Sequence, residues 1–97
     1  MSYNEFARAG NEASWGFAFA QRLRSLMAQQ DIKTAQFARK TGIPKGTLES
    51  YMQGSSIPNY YRTMLIAEGL GISIERLTDL RPNADILYYD DDDDEDE

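Results

Sequence analysis

The 97-residue sequence contains no cysteine and no histidine. Without cysteine there is no disulfide framework, and nothing points to an oxidising compartment. Without either residue, metal sites built on thiolate or imidazole are excluded, as are nucleophiles activated by Ser–His or Cys–His pairing. Long apolar runs are also missing: none approaches the roughly 18 residues needed to span a bilayer. The opening MSYNEFARAGNEASWG has neither a basic leader nor a small-residue cleavage site behind an apolar core, so a cytoplasmic placement is expected. There is no Gly-rich phosphate loop. Carboxylates abound only in the final run, where nothing holds two of them at a productive separation. Neither catalysis nor a cofactor or metal is expected.

Basic charge is in short supply as well, with ten Lys and Arg against sixteen Asp and Glu. Its placement matters more than its total. All ten cations lie between Arg8 and Arg81, and only seven acids share residues 1–84, so that stretch carries +3 and residues 85–97 carry −9. The expected organisation is a loose arm over 1–13, one mildly basic domain over 14–82 and an acidic tail over 83–97. Hydrophobic residues make up 41%, enough for a core of modest size.

What is present is helical periodicity. Phe19, Ala20, Leu23, Leu26 and Met27 recur at spacings of three and four from Ser14 onward, with Asn11 or Ser14 as candidate caps and Gln30-Asp31 as the exit. A second helix is expected over Thr34–Lys40 and a third from Pro44, a residue tolerated in a first helical turn. A fourth begins at Asn59 or Tyr60 and closes at Gly71, and a fifth is capped by Ser73. The one strand-like segment is Ile86–Tyr89, which could pair weakly. Trp15, Phe17 and Phe19 read as core or arm anchors.

The segment TAQFARKTGIPKGTLESYMQG, Thr34 to Gly54, imposes the most specific pattern. Phe37, Ile43, Leu48 and Tyr51 fill apolar slots, Ala38 is small where two backbones approach, and Gly42 makes the turn. These are the requirements of a helix-turn-helix. With the following SSIPNYYRTMLIAEGLGISIERL, this stretch resembles the lambda-repressor-like, Cro/repressor-type family, over about Phe17 to Leu80. The IPKGTL stretch is similar to phage repressors in particular. The resemblance implies a compact all-α fold: a five-helix lambda-repressor-like DNA-binding domain with a flexible amino-terminal arm.

The same resemblance implies sequence-specific binding of a double-stranded DNA operator by a transcriptional regulator, with the helix over 44–53 in the major groove. Lys45, Gly46, Glu49 and Ser50 are then candidates for base contacts: Lys45 can donate to guanine and Glu49 can accept from cytosine. The plainer reading of Lys45 and Glu49 is a solvated i, i+4 ion pair. Thr34, Gln36, Gln53, Arg22, Arg24 and Lys33 are candidates for phosphate contacts. A homodimer is implied, with the fourth-to-fifth helix region and Ile86–Tyr89 as its surface. One of Tyr60 and Tyr61 is a candidate for a phosphate or a thymine methyl, with a core or dimer role as the alternative for Tyr60.

Several residues depart from the family pattern. Thr34 stands where many members have glutamine, Thr41 and Thr63 where aliphatic residues are common, and Gly46 lowers helix propensity by about 1 kcal/mol. The acidic tail has no counterpart. It can be a solubilising tail, an internal competitor for the basic surface, or a handle for a protein partner. The alternative reading of the whole is a protein-interaction module, antitoxin- or adaptor-like. The chain would be either a short regulator or a fragment of a longer one.

Overall fold

The computed structural model describes residues 12–82. The expected arm therefore lies almost wholly outside the described residues, as do the acidic run and Ile86–Tyr89. Five helices follow one another: α1 (Glu12–Gln29), α2 (Thr34–Thr41), α3 (Lys45–Gln53), α4 (Tyr60–Leu70) and α5 (Ile74–Leu77). No strand occurs among the described residues. The all-α architecture follows the expectation from the sequence, with small shifts at the ends. α1 starts ahead of Ser14, so Ser14 is an internal residue and not its cap, while Asn11 lies outside the described residues. Pro44 precedes α3 as its N-cap.

The core is built where α1 packs on α3, α2 on α3 and α4, and α4 on α5. Phe19, Leu23, Leu26, Phe37, Leu48, Ile66 and Leu77 are almost completely buried in it. Burying each such side chain contributes about 1.5–3 kcal/mol. Trp15 stacks on Phe19 one helical turn later, with ring centroids 5.3 Å apart and planes 8° from parallel. Phe17, by contrast, is 57% exposed and anchors nothing in the core.

The helices end by local chemistry. α1 is stopped by Asp31, which takes φ +57°, a left-handed conformation that Asp tolerates better than most residues. Asn59 and Ser73 cap α4 and α5 by accepting from the backbone N–H of Arg62 and Arg76. Thr41 and Thr63, the polar substitutes for aliphatic residues, satisfy their hydroxyls by donating to the carbonyls of Phe37 at 2.9 Å and Asn59 at 2.8 Å. Their methyl groups can then face the core at no hydrogen-bonding cost.

Two helical glycines have opposite roles. A Cβ on Gly69 in α4 would lie 2.8 Å from Phe37 Cε1 and 2.9 Å from Thr41 Cγ2, so its hydrogen lets α2 come close. A Cβ on Gly46 in α3 would meet nothing within 4 Å. Gly69→Ala is therefore expected to destabilise by about 1–3 kcal/mol through overpacking. Gly46→Ala is expected to stabilise by about 0.5–1 kcal/mol through helix propensity. Urea unfolding midpoints of the two variants should move in opposite directions. A shared sign would mean that the α2–α4 contact is looser than these distances require.

Candidate nucleic-acid interface

The site is built on the α2–α3 pair, whose joint needs only Gly42, Ile43 and Pro44. Gly42 takes φ +80° and donates its N–H to Ala38 O at 2.9 Å, which closes α2. The Thr41 hydroxyl then accepts from Ile43 N–H at 3.2 Å, stiffening the turn from within. Ile43 is buried, and the Pro44 carbonyl accepts the first helical bond of α3 from Leu48 N–H at 3.0 Å. Two short helices joined by a three-residue turn containing glycine form a helix-turn-helix.

α3 has one dry side and one wet side. Leu48 is 0% and Tyr51 4% exposed. Lys45, Gly46, Glu49 and Gln53 are exposed and Ser50 is half-buried. The exposed stripe thus presents an ammonium, a carboxylate, a hydroxyl and an amide along one nine-residue helix. The Lys45 ammonium lies 3.8 Å from the Glu49 carboxylate with both side chains about half exposed, so the plain i, i+4 pair does form. Such an exposed pair contributes about 0.3–0.5 kcal/mol, little enough to be exchanged for a better partner.

Residues 22–82 match the family described as Cro/C1-type HTH DNA-binding domain. The chain belongs to that family. No curated protein and no solved structure matches. As a member of the Cro/C1-type family, the chain is a DNA-binding transcription regulator of the helix-turn-helix kind. The match takes in the end of α1 and all of α2 to α5.

Around α3 the structure gathers several of the residues expected to touch phosphate. Thr34 opens α2, and its hydroxyl approaches Met52 Sδ at 3.7 Å, which places the α2 amino terminus beside the end of α3. Gln36 accepts weakly from Lys33 N–H through Oε1, at 3.4 Å. Gln36 is exposed. Arg24 reaches from α1 to donate to the Met52 carbonyl, one of the last of α3. It thereby complements the negative end of that helix. Lys33 and Gln53 are exposed.

Arg22 is not part of this group. Two residues from Arg24, it points about 200° round α1. There its guanidinium donates to the Arg76 carbonyl through Nε at 3.2 Å and Nη2 at 2.7 Å. It ties α1 to α5. The fourth-to-fifth helix region, expected with Ile86–Tyr89 to form a dimer surface, holds both buried and exposed apolar residues. Leu77 is buried and Ile74 packs against the core, while Tyr60 and Tyr61 in the first turn of α4 are exposed, as are Phe17 of α1 and Ile57 of the α3–α4 loop.

Three features escaped the sequence reading. The Ser56 hydroxyl sits 2.8 Å from that of Ser50, so the loop after α3 orients a candidate base contact. Arg62 donates to the Tyr51 hydroxyl at 3.4 Å, giving the inward tyrosine a polar exit. Ile57 lies where a Cβ on Gly16 would be only 3.2 Å from its Cγ1, which fixes the loop against α1. Spacing along one helix carries no signal for such contacts between elements.

The two arginines of α1 should separate in experiment. Arg22→Ala is expected to lower stability by about 1.5–3 kcal/mol, the range for hydrogen bonds to a charged group. It should leave the salt dependence of DNA binding unchanged. Arg24→Ala is expected to cost less stability and to weaken binding to all DNA sequences. Thermal unfolding and binding isotherms at several salt concentrations check both, and a shallower salt slope for Arg22→Ala would overturn the assignment.

Proposed function

We propose that the chain is a repressor-type regulator, of phage or prophage kind, that reads a double-stranded operator by placing α3 in the major groove. The observation that carries this reading is the one-sided burial of α3: its apolar residues are held in the core and its polar stripe is left open. In this reading Lys45, Gly46, Glu49 and Ser50 meet base edges. Thr34, Gln36, Lys33, Gln53 and Arg24 meet phosphates on either side. Gly46 adds no bulk, so the α3 backbone can approach the groove floor closely.

A single helix with this few base contacts binds weakly, and two copies on a two-fold symmetric site would supply the rest, with half-sites about 34–36 Å apart. Lys45→Ala is expected to cost about 1–3 kcal/mol on the preferred site and to relax preference at one base position. Lys33→Ala should weaken all sequences alike and reduce the salt slope by about 1. Selection of bound oligonucleotides from a random pool checks the base reading. A palindromic consensus supports the dimer, and a pool that shows no enrichment sinks the proposal.

A second reading is favoured by one observation, the exposure of the large apolar side chains Phe17, Ile57, Tyr60 and Tyr61. Such a surface suits a protein partner. In an adaptor- or antitoxin-like role, binding would survive a rise in salt that abolishes phosphate contacts, and Lys45→Ala would leave it unchanged.

A further inference from the structure

The net positive charge of residues 1–84 is concentrated in one stretch of the sequence, the α2–α3 pair. Residues 33–53 hold Lys33, Arg39, Lys40 and Lys45 against a single acid, Glu49, for a net +3. The remainder of residues 1–84 holds six cations and six acids. Four of those other cations have hydrogen-bond or ion-pair partners within the fold. Arg22 is tied to the Arg76 carbonyl, Arg24 to the Met52 carbonyl, Arg62 to the Tyr51 hydroxyl, and Arg81 to Asp79 with Nη2–Oδ2 at 2.5 Å. By contrast, Lys33, Arg39, Lys40 and Lys45 are all exposed. Among the described residues, the only ion pair to any of these four is the weak Lys45–Glu49 contact. The α2–α3 pair is thus a cationic surface with no partner of its own strength.

The same chain carries eight consecutive acids, Asp90–Glu97. We propose that this run docks on the exposed cations of the α2–α3 pair and competes there with DNA phosphates. The inference rests on the reading of that pair as the DNA-binding element, and it names what regulates it. Reach permits the contact. Pro82, the last described residue, shares a shallow recess with Ala18, Gln21, Arg22 and Ser25 of α1. On the other side of α1, Arg24 holds the end of α3. To reach that end of α3, where Thr34 beside Lys33 also lies, the acids pass round one helix, about 10–12 Å wide. The intervening residues 83–89 span up to about 23–25 Å when extended.

Tethering at this range gives an effective concentration on the order of millimolar, so a contact too weak to measure between separate molecules is occupied within one. The polyanion displaces phosphates, which supply nearly all non-specific binding, but it cannot imitate a base edge. Specific sites therefore lose less than random DNA, and the ratio between them rises.

The absence of cysteine makes a clean test available in the full chain: Glu97→Cys with a single nitroxide label, observed without DNA. We expect paramagnetic broadening of backbone amides within residues 33–53 at low salt, fading near 0.5 M salt as screening shortens. Broadening that is absent, uniform, or centred on α4 and α5 overturns the proposal. A second variant separates docking from a general effect of net charge. A neutral Gly-Ser spacer of about 30 residues inserted after Pro82 lowers the tethered concentration on the order of tenfold without changing any charge. Both the broadening and the suppression of random-DNA binding should fall with it, and an unchanged affinity for random DNA overturns the competition. The labelling arm contains no DNA, so its failure leaves the operator-reading face standing. Failure of that face in oligonucleotide selection would in turn leave the labelling result intact.

Discussion

A nine-residue helix has no stability of its own in water, because nucleation costs more than so few hydrogen bonds return. α3 exists because Leu48 and Tyr51 are sunk into the space between α1 and α2, and that burial also fixes its rotation. Everything on the outward stripe inherits its direction from those two side chains. A rotation of about 100°, one residue along the helix, would bring Glu49 toward the core and desolvate a carboxylate. The burial that stabilises α3 is therefore also what selects which four side chains face outward.

Rotation alone does not fix tilt, and the remaining contacts supply it from both ends. At the amino end, Gly42 and Thr41 shape a turn of three residues, and Pro44 offers a carbonyl without requiring a partner for an N–H. At the carboxy end, Gly54 takes φ +81° and returns its N–H to Ser50 and Tyr51, while Arg24 holds the Met52 carbonyl. The Arg62–Tyr51 and Ser50–Ser56 contacts then tie α3 to α4 and to the loop between them. These are modest interactions of about 1 kcal/mol each. They act on a helix already seated, so they refine its position more than they create it.

The parts of this arrangement that repeat along one element were legible in the sequence. The period of Phe19, Leu23, Leu26 and Met27 marked α1, and the slots at Phe37, Ala38, Gly42, Ile43, Leu48 and Tyr51 marked the helix pair, because burial on one face leaves a trace every three or four residues. Features that arise where two elements meet left no such trace. No spacing rule marks Gly69, yet its missing Cβ lets Phe37 and Thr41 of α2 come close to α4. Arg22 and Arg24 looked alike as surface cations, and only the packing of α5 and α3 against opposite sides of α1 distinguishes them. The end of α1 showed no glycine because an Asp in the left-handed region does that work.

The charge layout of α3 itself bears on selectivity. A surface meant only to grip phosphate gains from every added cation and loses from every acid. If α3 meets the groove as proposed, Glu49 opposes indiscriminate binding, while in the free protein it is solvated and lies 3.8 Å from Lys45. In a groove the two must part if Lys45 turns to a base, and Glu49 is then repelled by the backbone unless an amino donor such as that of cytosine meets it. The cost of opening the pair is small, but the cost of a wrong base opposite Glu49 is a desolvated carboxylate without a partner. In the proposed reading of α3, a weak ion pair on the outward stripe thus gives up little affinity at rest and penalises mismatched sites more than it costs matched ones.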